Sequence, residues 1–252
     1  MKLPAGKVFS ISDDMPPVSG CTTSQTIHHA NGLSITNFSL AAHTDISAEC
    51  YDYHKLFVVE WGDMEVYQGS ADPTGLADPA GFAGQDGSTD FAGPNDPARH
   101  HVRGPARALA VASGEAVVSL PDVALGVRTD AGCVYTEVTL KKEAAMNDTL
   151  KSGEVVKLAD LLPYQDGRVV NMDLARNDGM KLALMSFGAG TGLDEHSAPG
   201  EALVFALDGE GVIGYEGQEH VIHAGENFKF DKGGRHFVRA DRPFKMALLL
   251  TL

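Results

Sequence analysis

The sequence predicts an all-β protein made of two tandem antiparallel barrels, and three observations carry that expectation. Runs of alternating apolar and polar residues, roughly four to eight long, are separated by Gly, Asp and Pro, the signature of strands and turns. The chain matches itself at an offset of 147 positions, ungapped from Gly6 to Gly62, so one module is present twice. Both copies finish on a strand-like run, VYTEVTL and KMALLLTL. Tandem barrels are the natural outcome, because closing a sheet removes exposed edges.

Taken in order, the N-terminal stretch MKLPAGKVFSISDD lacks the apolar core of a signal peptide. The first copy follows over residues 1–140. Gly6 meets Gly153, Pro16 meets Pro163, Gly20 meets Gly167, Gly32 meets Gly179 and Gly62 meets Gly209. These are residues with backbone reasons to sit at turns. After Gly62 the register changes: Gly114 corresponds to Gly225 at an offset of 111, so the first copy carries 36 extra residues near 69–106. That Gly-, Pro- and Asp-rich insert reads as a surface excursion or a lid. A polar linker over 141–152 is expected to hold a helical turn, and KLADLL from Lys157 a short helix. The second copy spans 153–252.

Composition narrows the function classes. Hydrophobic residues make up 43% and charged residues 21%, as in globular chains, and no run reaches membrane-spanning length. With 20 Lys+Arg against 34 Asp+Glu the net charge is −14, which disfavours nucleic acid and anionic membranes as partners. Cys21, Cys50 and Cys133 form no paired motif and are expected as buried or half-buried thiols in a reducing cytoplasm. GEGVIG at Gly209 fits a dinucleotide pattern by letter, but it sits on a strand with no helix to receive a pyrophosphate. His28–His29 and His100–His101 read as loop residues. His220 and His223, three apart on one strand, must point to opposite faces.

The second copy holds the chemistry. Gly190 leads by five residues to His196, and Gly209 closes that stretch; Gly225 leads through DKGGR to His236. These two motifs, with the string HSAPGEALV, resemble the cupin superfamily, in particular its two-domain members and its small conserved-barrel proteins. The resemblance implies two double-stranded β-helix (jelly-roll) barrels and commonly one transition metal held by two histidines, a glutamate and a later histidine. His196 and His236 stand at the first and last ligand positions. Ala198 stands at the second, and Glu201 lies one residue before the glutamate position, which Ala202 occupies. A one-residue displacement on a strand turns a side chain to the other face unless a bulge or the Pro199–Gly200 turn resets it.

The expected site is therefore His196, His236 and Glu201, as ligand-binding residues and as ligands of a single divalent Zn, Ni, Fe or Mn if a metal is present. Three functions stay open: a binder of a small polar or sugar-like ligand, a metal-dependent oxygenase or isomerase, and a structural or regulatory protein. A homodimer is expected from the resemblance. In the first copy Glu49, Tyr51, Lys55 and Leu125 replace His196, Ala198, Ala202 and His236, so that barrel reads as structural, with a polar pocket of Glu49, Tyr51 and His54 as the other reading. On the strand after Gly200, the small residues Ala202, Val204 and Ala206 are expected inside the barrel. Leu203, Phe205 and Leu207 are expected against the other domain or a second subunit.

Overall fold

The structure is a computed structural model that describes residues 3–30, 33–69, 107–140 and 144–252. The insert and His100–His101 thus lie outside the described residues, except for Gly69 at its start. The first half comprises β1 (Val8–Phe9), α1 (Ile11–Asp14), β2 (Thr22–Ala30), β3 (Leu33–Leu40), β4 (Thr44–Cys50), β5 (His54–Gly69), β6 (Arg107–Ala112), β7 (Glu115–Val118), β8 (Ala124–Thr129) and β9 (Cys133–Leu140). The second comprises β10 (Ala145–Met146), β11 (Val155–Lys157), a 3-10 turn (Leu158–Asp160), β12 (Val169–Asn177), β13 (Met180–Phe187), β14 (Thr191–Ser197), β15 (Ala202–Tyr215), β16 (Gln218–His223), β17 (Asn227–Phe230), β18 (Arg235–Ala240) and β19 (Phe244–Thr251). All paired strands named here are antiparallel, as the alternation predicts.

Each barrel is two curled sheets sharing one long strand. The first part of β5 pairs with β9 and β7, its second part with β6 and β8; β15 does the same with β19 and β17, then β16 and β18. The bend between the two parts falls at Gly62 and Gly209, each with φ +75. A Cβ there would lie 2.2 Å from the Gly132 carbonyl oxygen or 2.0 Å from that of Pro243. Only glycine takes that conformation at that approach, which is why the repeat keeps it.

The barrels exchange their leading segments. Val8 and Phe9 pair with Phe228 and Asn227 of the second barrel, while Val155 and Val156 pair with Val117 and Ala116 of the first. Gly6 N donates to the Lys229 carbonyl at 3.0 Å, and Gly153 N to the Val118 carbonyl at 2.7 Å, the same bond in each copy. Between the barrels lies one shared apolar core, with Ile35, Leu56, Val58 and Val138 from the first and Leu182, Leu203, Phe205 and Leu249 from the second. Each such side chain contributes about 1.5–3 kcal/mol when fully buried. Ala202, Val204 and Ala206 belong instead to the second barrel's interior, so the alternation along β15 divides as expected, with Leu203 and Phe205 against the other domain.

Four expectations change. Residues 145–146 of the linker form a strand on β12 rather than a helix, because Ala145 and Met146 satisfy an otherwise open edge. A helical turn lies instead at Ile11–Asp14, capped by Ser10 Oγ, which accepts from Asp13 N at 3.2 Å. Cys133 is buried, but Cys21, in a turn, and Cys50, at the end of β4, are exposed. His28 and His29 lie on β2, not in a loop. No helix among the described residues is long and apolar enough to cross a membrane.

Candidate functional site

The site is assembled by the pairing of β14 with β18. Leu193 sits opposite Val238 and His196 opposite His236, with one extra residue between them on β14. That bulge lets two residues three apart both face the barrel, since an unbroken strand would send them to opposite sides. The two imidazole rings end 4.3 Å apart, inclined at 54°. His236 is buried (5% exposed) and stacks on Phe230 at 4.1 Å, whereas His196 lies exposed at the mouth. Tyr215 is also opposite His236, on the neighbouring strand.

The backbone sets the chemistry of both rings. His236 Nδ1 lies 3.0 Å from the Gly234 carbonyl oxygen and His196 Nδ1 lies 2.8 Å from that of Asp194. A carbonyl only accepts, so each Nδ1 carries the hydrogen, and in the neutral form of either ring the lone pair is on Nε2. Burial lowers the pKa of His236; the Gly234 carbonyl opposes this, and the adjacent His196 lowers it further. The buried ring is thus held neutral at physiological pH, as a hydrogen-bond acceptor and a potential ligand.

The third predicted residue is placed elsewhere. Glu201 Oε1 accepts from Lys229 Nζ at 2.9 Å, and Lys229 also donates to Asp231 Oδ1 at 2.6 Å. Burial works against the Lys229 charge, but the bonds to Asp231 and Glu201 raise its pKa above the ordinary lysine value. Phe228 and Phe230, on either side of Lys229, face the barrel interior, so Lys229 and Glu201 face the opposite way. They line a cavity of about 30 Å³ beside Leu3, Ile27, His28 and Leu249, at the contact between barrels. The Pro199–Gly200 turn does not reset the register, and Ala198 has no donor atom. Two imidazoles fit the first and last positions of a metal site, but the described residues supply no third side-chain ligand beside them. Indeed, no group of three or more His, Cys, Asp or Glu among them is arranged to hold a metal ion. A divalent ion held by two side chains alone is held poorly, so the donor set does not fit the resident metal that the resemblance implies.

Two further histidines of the second barrel lie away from this pair. His220 turns inward against Phe228 at 5.3 Å, and His223 turns out to Glu226 at 3.1 Å and Glu210 at 3.3 Å.

At the equivalent place in the first barrel, Glu49 lies opposite Leu125. Tyr51 donates to Glu49 Oε2 at 2.6 Å, and Lys55 Nζ sits 3.7 Å above the Tyr51 ring and 3.0 Å from Glu137 Oε1. His54 turns away, its Nδ1 2.7 Å from the Ser119 carbonyl oxygen, so it does not join Glu49 and Tyr51. Sequence reading found Glu49 and Tyr51 but missed Glu137, which reaches Lys55 only through the β5–β9 pairing. Burial raises the Glu137 pKa while Lys55 holds it down. The two side chains are 11% and 14% exposed, so removing one strands the other's charge. We expect Lys55→Met to cost about 3 kcal/mol in urea unfolding. The double variant Lys55→Met/Glu137→Leu should regain most of it, since the second barrel has the apolar Ala202 and Leu248 at these positions. Equal losses in both variants would contradict this account.

Comparison with known proteins fits this geometry. A family model described as a cupin domain matches residues 183–251. No curated protein matches the chain. Among solved structures, a cupin 2 conserved barrel domain protein from Leptotrichia buccalis superposes with a TM-score of 0.76 at 20% identity, covering 100% of this chain and 99% of that one. An oxalate decarboxylase from Lactobacillus farciminis gives 0.52 at 11% identity, covering 99% and 87%. One from Bacillus subtilis gives 0.51 at 10% identity, covering 99% and 78%. At these identities the likeness is one of fold. The family match runs from β13 to β19, the same architecture is repeated in the first half, and the chain has the fold of two cupin-like jelly-roll barrels.

Proposed function

We propose that this protein binds a small polar or sugar-like molecule at the mouth of the second barrel, using His196 and His236 without a resident metal. The observation that carries the reading is the paired tautomer: both Nδ1 atoms are committed to backbone carbonyls, which leaves two Nε2 acceptors on rings 4.3 Å apart. Such a pair receives two hydroxyl hydrogens of one ligand, and Phe230 and Tyr215 supply an apolar wall beside it. The oxygenase or isomerase reading needs a third metal ligand, and Glu201 is held by Lys229 on the other face of the strand.

A thermal-shift titration with glucose, myo-inositol and ribitol tests this. A ligand that binds the folded state raises the melting temperature by mass action, and His236→Ala should abolish the response. A stoichiometric transition metal in the purified protein, lost in both His196→Ala and His236→Ala, would overturn the metal-free reading in favour of the enzyme.

A further inference from the structure

Buried side-chain atoms without a hydrogen-bond partner point to where an occupant belongs. Among the described residues these atoms are Asn37 Nδ2, Ser39 Oγ, Gln68 Nε2 and the Tyr135 hydroxyl. The first two face the contact between barrels. The other two lie on the inner wall of the first barrel, where Gln68 alternates with the core residues Met64 and Val66 and Tyr135 belongs to the same cluster. Gln68 is 4% exposed and Tyr135 0%. The Gln68 amide is oriented by Leu120 N, which donates to its Oε1 at 2.7 Å, so the Nε2 hydrogens point elsewhere. Gln68 pairs with Leu125, which also faces Glu49, and this sets the amide at the mouth of the barrel.

Lys55 adds a third donor at that mouth. Of its three N–H groups, one serves Glu137 and one the Tyr51 ring, and no described residue accepts the last. The acids nearby are already engaged, Glu137 by Lys55 and Glu49 by Tyr51. Burial, then the neighbouring Glu137, push the Tyr135 pKa well above the ordinary tyrosine value, so its hydroxyl stays a donor. At the matching positions the second barrel has Tyr215, Met246 and Ala202, so this donor set is not a by-product of the repeat.

We infer that the first barrel contains a separate binding site for a short-chain organic carboxylate, whose oxygens are received by Lys55, Tyr135 and Gln68. The Gln68 amide hydrogens and the Lys55 ammonium can only donate, the Tyr135 hydroxyl can donate beside them, and Lys55 is cationic, so together they select an anionic acceptor over an amine or a metal ion. A donor buried without a partner is costly, and an oxygen ligand removes that cost at both Gln68 and Tyr135. The site does not depend on His196 or His236.

Calorimetric titration of the full chain with acetate, pyruvate and malonate tests the proposal. At least one should bind, and Tyr135→Phe and Gln68→Leu should each weaken it about tenfold or more, the loss of one charge-assisted hydrogen bond. The melting temperature of unliganded Tyr135→Phe should not fall, because the variant deletes only an unpartnered hydroxyl; that readout separates lost binding from lost folding. Three outcomes overturn the proposal: none of the three probes binds, as when water alone fills the space; Tyr135→Phe binds as tightly as the wild type; or binding disappears in His236→Ala, which would move the carboxylate to the second barrel.

Discussion

Replacing Gly200 by alanine is expected to lower the melting temperature by about 10 °C, following a loss of about 3 kcal/mol or more. A Cβ on Gly200 would stand 1.5 Å from the Thr251 carbonyl oxygen and 2.7 Å from its carbon. Both obstacles are backbone, and neither yields easily: Thr251 N is bound to the Glu201 carbonyl at 2.8 Å, and its hydroxyl to the same oxygen at 3.1 Å. The insertion would pry β15 from β19 at the point where Ala202 enters the barrel and Glu201 leaves it. Thermal unfolding followed by circular dichroism measures the effect. A melting temperature within a degree or two of the wild type would mean that the turn is not as close as described.

Raising the pH from about 4.5 to 8 should cost the protein about 2–3 kcal/mol at one residue, Glu60, and Glu60→Gln should remove that cost. Burial pushes the Glu60 pKa from 4.5 up to about 7, against hydrogen bonds from Thr136 and Asn227 that favour its charge. Asn227 belongs to the second barrel and also accepts from Ile11 N at 3.1 Å, so the carboxyl bridges both barrels and the exchanged arm. The unfolded chain releases this proton near pH 4.5 and the folded chain only near 7. Between those values the folded state binds more protons, so stability falls as pH rises and then levels off above the folded pKa. Asp13 and Asp14 on α1 are exposed, and no charged group contributes to the shift. Trp61, the chain's single tryptophan, is next in sequence and 47% exposed, which makes it a local fluorescence reporter. Urea unfolding at pH 5 and 8 should show the variant gaining on the wild type at the higher pH only. Parallel pH dependences in the two proteins would rule out Glu60 as the source.

Glu60 also shows how the repeat diverges. Its counterpart is Leu207, and those of Asn37, Thr136 and Asn227 are Leu184, Ala247 and Ala116. One half of the contact between barrels is therefore wholly apolar where the other is polar. Four aligned substitutions make this visible once the offsets are known, but nothing in the linear sequence shows that the four residues meet. The glycine–aromatic pairs behave similarly. Tyr67 lies across Gly126 in the first barrel and Phe237 across Gly214 in the second, with the large and small partners exchanged between strands.

The duplicated barrels, the two imidazoles at one mouth and the division of β15 into a barrel face and an interdomain face were all legible without coordinates. Each rests on local requirements: glycine where φ is positive, alternation where a strand has two faces, and a histidine at a fixed step from a turn. Glu201 was legible only as far as its doubtful register. Its attachment to Lys229, the ion pair of Lys55 with Glu137, the exchange of β1 and β11, and the unspent donors of Gln68 and Tyr135 are products of the tertiary structure alone. These depend on which strands meet, in which register, across as much as the length of the chain. A residue's backbone preference is a property of its neighbours in sequence, whereas the partner of a buried charge or hydrogen is decided only when distant strands close the barrel.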